Sequence, residues 1–379
     1  MIGRVANWMD RAVGETALAM AVRKLPPRAI PDWPRSILVL RNNDLGDVLI
    51  VTPLFEALRS RFPETRVCAA VGTWAMPLLE GNPHLSGVIE VDAPWFNKYV
   101  RRRSPMSALR FAWRSQAVER LRKERFEVGI DLLGSAWGAL LLLRSGVATR
   151  LGTLGYAGGE RGFQGGVLFD PGEHVGRRAL RFAELLGATN LPENRPQLFL
   201  SQREKAAGEQ VWGQLRQDTG TRRLRVAIGP GAGLPQKAWP EERFRDLVAR
   251  LAASRAFELV VLGSPGDRPL ADRIAAGTVP NLAGEKSLRE MIAVVAAADC
   301  VVCNSSLLLH ASAAFGKRSI VVLGLSFSSA AQHQQQWGYD GYSVTLGPER
   351  GSGQGLASVE EAVARVERAA ALPVGAAFR

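Results

Sequence analysis

Short apolar runs alternate with longer amphipathic segments along most of the chain. The apolar runs predict strands at 37–40, 66–71, 87–91, 127–132, 224–228, 258–262, 300–303 and 319–323. Apolar residues at helical spacing predict helices at 53–61, 206–216, 241–254, 288–296 and 307–315. Strands that alternate with helices are typical of parallel sheets covered by helices on both faces.

The alternation is interrupted between about residues 146 and 195, where the stretch GTLGYAGGERGFQGG is rich in glycine. A chain of 379 residues also exceeds the size at which single cores stop growing. We therefore predict two Rossmann-like, doubly wound α/β domains. The predicted divisions are an amphipathic helix in 1–35, an N-terminal domain over 36–200, a C-terminal domain over 201–346, and a connector with a final helix at 359–371 in 347–379.

The N-terminal segment carries Arg4, Asp10, Arg11 and Glu15, so it lacks the clean apolar core of a secretory signal. Its pattern fits a helix that packs on its own protein or one that lies on a membrane surface. No apolar stretch approaches the ~20 residues needed to cross a bilayer. The three cysteines are sparse and odd in number, which fits a reducing compartment. We expect a cytoplasmic protein and leave open a peripheral association with the inner face of the cytoplasmic membrane.

Neither the cysteines nor the histidines suggest a metal centre. Cys300 and Cys303 form a CxxC pair, but they flank two valines in a predicted strand, which indicates core thiols. The four histidines are scattered along the chain without ligand spacing. No metal is therefore expected.

Positive charge is concentrated in one segment of the chain. The formal net charge is +12, and residues 98–125 hold ten basic residues against two acidic ones. Such a segment suits anionic lipid headgroups, phosphorylated sugars or nucleic acid, or it forms a solvated helix face. Because no recognised nucleic-acid-binding motif accompanies the charge, we expect no nucleic acid partner.

The first candidate for chemistry is Asp47, in the stretch ILVLRNNDLGDVLIVTP. A strand ends at Leu40, Gly46 permits a tight turn, and we predict that the helix proper begins at Thr52-Pro53 with Thr52 as its cap. The helix N-terminus nearby favours an ionised carboxylate, which a general base requires. The alternative is that an aspartate here only caps backbone N–H groups.

Three further loops follow predicted strands in the C-terminal domain. Small residues and a lysine follow the strand at 224–228, Asp267 follows the strand at 258–262, and serines begin the helix at 307–315. Ligands collect at the carboxyl ends of parallel strands, where helix N-termini bind phosphate. The residues concerned are Gly231, Gly233, Lys237, Gly263, Asp267, Ser305, Ser306 and His310. Facing Asp47 from the other domain, they predict a cleft between the two domains, although a simple turn or an N-cap explains each loop alone.

The ordered motifs resemble glycosyltransferase family 9, whose members include the heptosyltransferases of the lipopolysaccharide inner core. The motifs are GD with TP, then GxG followed by K-x-WP, LGxxxD and H-x-x-A-A, within about residues 36–345. The resemblance implies a GT-B fold and inverting, metal-independent transfer of heptose or a similar sugar. The nucleotide-sugar co-substrate, typically ADP-heptose, would bind the C-terminal domain. An anionic glycolipid or lipopolysaccharide-core acceptor would bind the N-terminal one.

The resemblance also assigns roles to individual residues. Asp47 would deprotonate the acceptor hydroxyl, Lys237 would neutralise the leaving diphosphate, Asp267 would contact ribose, and His310 would lie near the diphosphate. The remaining donor-side residues would be the small and hydroxylated ones named above. Acceptor contacts are predicted at Gly46 and at Arg101, Arg102 and Arg103, the last three in the basic segment that would dock on the membrane.

One loop departs from the family pattern D-[ST]-G-x-x-H. Here Ser305 replaces the acid and Leu307 replaces the glycine, so we expect a rebuilt loop. The departure leaves two alternatives: a non-catalytic nucleotide-binding or peripheral membrane protein with a GT-B fold, and an epimerase that acts on the nucleotide-sugar itself.

Overall fold

The computed structural model describes residues 2–22, 29–100, 104–215, 223–349, 355–372 and 378. The chain divides into two compact units, Met1–Asn194 and Arg195–Arg379. Each unit is an α/β domain around one parallel sheet. No helix in the described ranges is long and apolar enough to span a membrane.

The first unit contains a six-stranded parallel sheet in the order β3-β2-β1-β4-β5-β6 within the described residues. Its strands are β1 Ser36–Leu40, β2 Arg66–Val71, β3 Gly87–Glu90, β4 Val128–Asp131, β5 Thr149–Leu154 and β6 Gly165–Leu168. Its helices are α1 Ile2–Val22, α2 Leu45–Leu49, α3 Pro53–Arg61, α4 Met76–Leu79, α5 Pro105–Arg114, α6 Gln116–Glu124, α7 Ala136–Arg144 and α8 Val175–Leu185. Strands β1 and β4 are buried throughout, as expected for central strands covered on both faces.

The second unit contains a five-stranded parallel sheet in the order β11-β10-β9-β7-β8, again within the described residues. Its strands are β7 Leu224–Gly229, β8 Phe257–Val261, β9 Cys300–Cys303, β10 Arg318–Val322 and β11 Ser343–Leu346. Its helices are α9 Gln202–Leu215, α10 Glu241–Ala253, α11 Arg268–Ala275, α12 Leu288–Ala296, α13 Leu307–Ala314, α14 Ala330–Trp337 and α15 Val359–Ala371. Helices α10, α11 and α15 share one core with the buried faces of β7, β8 and β10.

The eight predicted strands are confirmed to within one residue at each end. Three strands were missed, namely β5 and β6 in the glycine-rich stretch and β11 near the end of the second unit. The prediction that the pattern is irregular between about 146 and 195 is therefore wrong. Gly166 explains why: a Cβ there would lie 1.9 Å from the carbonyl oxygen of Gly152, so only glycine permits the close approach of β5 and β6.

Helix α1 packs on the first unit. The buried side chain of Asp10 accepts a hydrogen bond of 3.1 Å from the indole N–H of Trp137 in α7. Leu18 is fully buried, and Gly14 allows close packing, since a Cβ there would lie 3.1 Å from the Trp137 ring. Of the two alternatives for this helix, packing on its own protein is confirmed for the face that carries these residues.

Candidate active site

Each sheet has one topological switch point, where the strand order reverses. In the first sheet it lies between β1 and β4, and in the second it lies between β7 and β9. Ligands of open α/β sheets bind outside the carboxyl ends of the strands at such points. The loops that follow these four strands contain most of the predicted site residues.

Asp47 is held by an arginine from the same loop. It lies in the short helix α2, and its Oδ1 accepts a hydrogen bond of 2.9 Å from Arg41 Nη2. Arg41 Nε donates a second bond, of 3.2 Å, to the Asp47 carbonyl. The Arg41 side chain is only 8% exposed, whereas that of Asp47 is 28% exposed. A buried guanidinium thus orients a carboxylate that solvent can reach.

The predicted start of the helix proper at Thr52-Pro53 is confirmed, with Thr52 at the N-cap position and Pro53 at the first helical position, but a short helix that was not predicted, α2, precedes it. Asp47 lies inside α2, and α3 begins at Pro53 as a separate helix. Thr52 does not cap α3 through its side chain; its hydroxyl donates to the Leu49 carbonyl at 2.8 Å. Asp44 occupies the N-cap position of α2, but its side chain makes no cap hydrogen bond there. Asp44 Oδ1 instead accepts a hydrogen bond of 3.2 Å from the Lys98 amide, so the alternative of a backbone N–H contact fits Asp44, whereas Asp47 is held by Arg41.

A second carboxylate, which is buried, lies at the end of β4. Asp131 accepts hydrogen bonds from the backbone N–H groups of Leu133 (3.0 Å) and Ser135 (2.9 Å). Burial raises the pKa of Asp131 to about 6, against the opposing effect of these hydrogen bonds and of Arg41. Burial, together with the nearby Arg41, also lowers the pKa of Arg178 in α8. The guanidinium groups of Arg41 and Arg178 are therefore close enough to influence each other electrostatically.

The predicted acceptor contacts are only partly described. Gly46 lies in α2, where its carbonyl accepts a hydrogen bond of 3.0 Å from the Ile50 amide. Arg101, Arg102 and Arg103 lie outside the described residues. On either side of them, Tyr99 stacks on Trp74 with ring centroids 4.9 Å apart, and α5 and α6 carry exposed basic side chains.

On the second unit, the loop after β7 contains Gly231, Gly233 and Lys237. A short 3-10 helix, Pro235–Lys237, ends this loop and exposes the lysine. The ammonium of Lys237 lies 5.8 Å from the centroid of the Phe327 ring. The Lys237 carbonyl accepts a hydrogen bond of 3.1 Å from the Gly324 amide, which ties this loop to the one after β10.

A buried amide, which sequence reasoning missed, ties the same loop to β9. Asn304 is 0% exposed, and its Oδ1 accepts a hydrogen bond of 2.9 Å from the Trp239 amide. Its Nδ2 donates to the carbonyls of Pro230 at 2.6 Å and Gly231 at 3.4 Å. Asn304 thereby joins the two loops of the switch point. Its place directly after a buried strand was the available signal.

Gly263 and Asp267 lie in the loop after β8. Asp267 Oδ2 accepts hydrogen bonds from the amide and the hydroxyl of Ser264, at 2.8 and 2.6 Å. A Cβ on Gly231 would lie 2.7 Å from the Asp267 carboxylate, and one on Gly263 would lie 2.9 Å from Asp267 Cβ. The two glycines make room for this side chain, so the loops after β7 and β8 also meet.

Ser305 and Ser306 precede α13, as predicted. Ser306 is the N-cap residue, and its hydroxyl lies beside the Cys303 thiol. Ser305 Oγ lies 2.8 Å from Nε2 of His333, a histidine of α14 that sequence reasoning did not select. Leu307 begins α13 and is not among the residues with positive φ, so the leucine that replaces the family's glycine causes no backbone strain there.

His310 lies one turn into α13 and is buried. Its Nδ1 lies 2.6 Å from the hydroxyl of Tyr339, which is itself buried. Burial raises the pKa of Tyr339 well above its usual value. The hydroxyl therefore stays protonated and fixes the ring of His310. The predicted position of His310 near a diphosphate remains a prediction.

The cysteines are core residues, as predicted. Cys300 and Cys303 are buried in β9 as free thiols, and burial raises the pKa of each to about 12. Such thiols are inert at neutral pH. Among the described residues, no group of three or more His, Cys, Asp or Glu side chains is placed to hold a metal ion.

This fold is found in GT-B glycosyltransferases. It is similar to a family 9 glycosyl transferase from Veillonella parvula DSM 2008, with a TM-score of 0.73 and 17% sequence identity over 90% of this chain and 99% of that chain. It is also similar to an ADP-heptose lipopolysaccharide heptosyltransferase II from E. coli, with a TM-score of 0.68 and 20% identity over 88% and 98% of the two chains.

The sequence model of glycosyltransferase family 9 (heptosyltransferase) matches residues 114–332, which is more than half of the chain. The chain therefore belongs to this family and is a glycosyltransferase. Among curated relatives, lipopolysaccharide heptosyltransferase 2 of Escherichia coli K12 is 25% identical over 304 residues, which cover 76% of this chain and 83% of the relative. The GT-B fold and the family predicted from the motifs are thus confirmed.

Proposed function

We propose that this protein is a heptosyltransferase-like enzyme of lipopolysaccharide core synthesis. It moves heptose or a similar sugar from ADP-heptose, or a related nucleotide-sugar, to an anionic glycolipid or lipopolysaccharide-core acceptor. The name of the curated relative, lipopolysaccharide heptosyltransferase 2, supports the sugar and the acceptor, and a similar structure, with a TM-score of 0.64, was solved with a fluorinated ADP-heptose. The observation that carries the proposal is the accessible Asp47 carboxylate, oriented by buried Arg41 at the carboxyl edge of the first sheet.

Asp47 acts as the general base in this proposal. The acceptor hydroxyl gives its proton to the Asp47 carboxylate while its oxygen forms a bond to the anomeric carbon of the donor. The bond from that carbon to the diphosphate oxygen breaks, and the nucleoside diphosphate leaves with the electron pair. A single displacement of this kind inverts the anomeric configuration. Arg41 holds the carboxylate in one orientation through its two hydrogen bonds, so less freedom is lost in the transition state.

Lys237 and the N-terminus of α13 stabilise the leaving diphosphate. Lys237 is an exposed cation in the same loop as Gly231 and Gly233, and small residues allow a phosphate to approach the chain closely. Fixed positive charge and dipoles of this kind lower the energy of developing negative charge. Asp267 contacts the donor's ribose, and Ser306 and His310 complete the donor side. We propose that no metal ion is required.

Replacement of Asp47 by asparagine tests the assignment of the base. We expect a loss of about 10²–10⁴-fold in turnover, with an unchanged circular dichroism spectrum. The measurement is ADP release from ADP-heptose in the presence of a lipopolysaccharide-core acceptor. Asp44→Asn is the matched control, because it removes a nearby charge that has no assigned role in the reaction. Turnover of the Asp47 variant within tenfold of wild type would refute the assignment.

Metal independence and inversion need separate measurements. Turnover after exhaustive EDTA treatment is expected to equal that of untreated enzyme, and a loss restored by added Mg²⁺ would contradict the proposal. The proton coupling constant at the new glycosidic carbon reports the configuration of the product. Retention of the donor's configuration would exclude the single displacement.

The acceptor side includes a membrane contact through the segment 98–125. Exposed basic side chains in α5, in α6 and directly after α6, namely Arg110, Arg114, Lys123 and Arg125, support this assignment. Attraction of exposed charges to anionic headgroups is screened by salt. We expect co-sedimentation with phosphatidylglycerol vesicles at low salt and its loss at 0.5 M NaCl. Vesicle binding that does not depend on ionic strength would exclude an electrostatic contact between this segment and the membrane.

A non-catalytic nucleotide-binding protein is the second candidate, favoured by the replacement of the family's acid by Ser305. It predicts that ADP-heptose binds without any turnover, and that Asp47→Asn changes neither binding nor ADP release. An epimerase would isomerise the nucleotide-sugar without an acceptor, which mass spectrometry coupled to chromatography detects.

A further inference from the structure

We propose that His333 holds the hydroxyl proton of Ser305, so that Ser305 presents only lone pairs and accepts a hydrogen bond from a hydroxyl of the donor sugar. His333 is thus a positioning residue, and Ser305 discriminates a sugar hydroxyl from a phosphate oxygen. The inference rests on the proposed function, because that function places the nucleotide-sugar at this edge of the second sheet.

The direction of the hydrogen bonds follows from a chain of side chains that starts at a backbone carbonyl. Gln334 Nε2 lies 3.1 Å from the Ser343 carbonyl, which can only accept, so this atom is the amide nitrogen and Oε1 is an acceptor. Thr345 Oγ1 donates to that Oε1 at 2.8 Å. With its proton used there, Thr345 can only accept from His333 Nδ1, at 3.3 Å. His333 therefore carries its proton on Nδ1.

The proton on Nδ1 determines what Nε2 can do. Burial, and to a smaller extent Lys237, lowers the pKa of His333 to about 4, so the ring is neutral at physiological pH. In a neutral imidazole with Nδ1 protonated, Nε2 is an acceptor. The hydroxyl of Ser305, 2.8 Å away, must then be the donor in that contact. His333 is 3% exposed, and the Phe327 ring packs edge-on against it at 5.3 Å, so the ring has no freedom to turn away.

A serine in this state resembles the acid that the family places at the same position. A carboxylate accepts hydrogen bonds and donates none, whereas an ordinary hydroxyl does both. With its proton committed to His333, Ser305 also only accepts, but it carries no charge. A phosphate oxygen has no proton to offer at neutral pH, so the matching ligand group is an O–H of the sugar. This assigns the Ser305 hydroxyl to the sugar rather than to the phosphate that helix N-termini bind.

The first experiment reads the tautomer directly and requires no ligand. In full-length protein with ¹⁵N-labelled histidine, the imidazole shifts of His333 at pH 7 should show the Nδ1–H tautomer. Thr345→Val, which is isosteric and removes the acceptor for that proton, should shift the tautomer population. His310→Gln identifies the second buried ring by loss of its signals. An Nε2–H tautomer in wild type would overturn the proposal, because His333 would then donate to Ser305.

The second experiment compares ADP with ADP-heptose by calorimetry. In Ser305→Ala the affinity for ADP-heptose should fall by roughly 10-fold, the worth of one hydrogen bond, while that for ADP changes by less than about twofold. Ser305→Asp should recover binding of ADP-heptose and convert His333 to the imidazolium form. Ser254→Ala, directly after α10 and before the amino end of β8, is the matched loss of a hydroxyl and should change neither affinity.

The outcomes separate this proposal from the function on which it rests. An equal loss of affinity for ADP and for ADP-heptose in Ser305→Ala would overturn the proposed contact with the sugar, because it would indicate that Ser305 contacts the diphosphate. If wild type binds neither nucleotide, the proposed donor is wrong and the sugar contact falls with it. The tautomer experiment then still decides whether His333 holds the serine proton.

Discussion

Replacement of Asn304 probes how the two loops at the switch point of the second sheet are held together. Its side chain is fully buried and satisfies the Trp239 amide and the Pro230 carbonyl. Asn304→Ala leaves both groups buried without this partner, at about 1–3 kcal/mol each, so we expect a destabilisation of about 2–6 kcal/mol. That is a large part of the ~5–15 kcal/mol by which a typical domain is stable.

Asn304→Asp is the sharper variant because it keeps the shape and adds a titratable group. The acceptor for the Trp239 amide remains, but the former Nδ2 becomes an oxygen 2.6 Å from the Pro230 carbonyl oxygen. Only the protonated acid can donate there, so its folded pKa must lie above the unfolded value of about 3.9. Folding then favours the protonated form of Asp at position 304. The stability that this protonated side chain contributes is lost as the pH rises above about 4. The variant should be far less stable relative to wild type at pH 8 than at pH 5.

Hydrogen exchange of the Trp239 amide measures the change in stability of the second unit alone. This is needed because the two units of the chain do not have to unfold together. Gln335→Glu on the exposed face of α14 is the control for an amide-to-acid exchange, and its effect should be small at both pH values. A destabilisation by Asn304→Asp that is equal at pH 5 and pH 8 would refute the assigned donor and acceptor roles.

Two other variants test close packing and buried charge. Gly231→Ala should destabilise the second unit by about 1–3 kcal/mol, because its Cβ would meet the Asp267 carboxylate at 2.7 Å. Gly213→Ala is the control and should not destabilise the unit, since the space around its Cβ is open. Equal melting temperatures for the two variants would contradict the close contact between Gly231 and Asp267. Burial raises the pKa of Asp131 to about 6 from 3.8, so the stability it contributes is present below pH 4 and lost as the pH rises through 6, by about 3 kcal/mol. Asp131→Asn should therefore gain stability relative to wild type between pH 4 and pH 7 in urea unfolding, and a constant difference would exclude the shift.

The central strands were predictable because their patterns match what burial requires. Cys300–Cys303 is a continuous apolar run, and Arg66–Val71 is one after its first residue, as strands covered on both faces must be. The predicted bounds of both strands match the structure. Helices Pro53–Arg61 and Leu288–Ala296 were also bounded correctly, since Pro at the first position and a serine cap define their starts. Local chemistry and tertiary burial agree in these elements.

Strands β5 and β6 were not predictable, because their glycines serve close approach rather than a turn. A Cβ on Gly152 would lie 2.3 Å from the Phe163 ring, and one on Gly166 would meet the Gly152 carbonyl. A glycine in a sequence indicates backbone freedom. It does not indicate which distant residue packs against its Cα, where a side chain would otherwise be. The same holds for His333, whose partner Ser305 is distant in sequence and whose own helix shows only a run of glutamines.

In both units, the residue that the family motif names is held by a residue that the motif does not name. Arg41 is buried and fixes the more accessible Asp47 through two hydrogen bonds, and His333 is buried and fixes Ser305 through one. A motif residue must meet a ligand, so it lies at the edge of the sheet, where solvent would otherwise leave its rotamer free. The residue that removes this freedom must be buried to be rigid itself, and burial in this fold brings together distant parts of the chain. Substitution of such a partner should therefore change the orientation of the motif residue while leaving its chemistry in place. In the last loop, the buried histidine holds the hydroxyl proton of Ser305, so this serine accepts hydrogen bonds as the family's acid does.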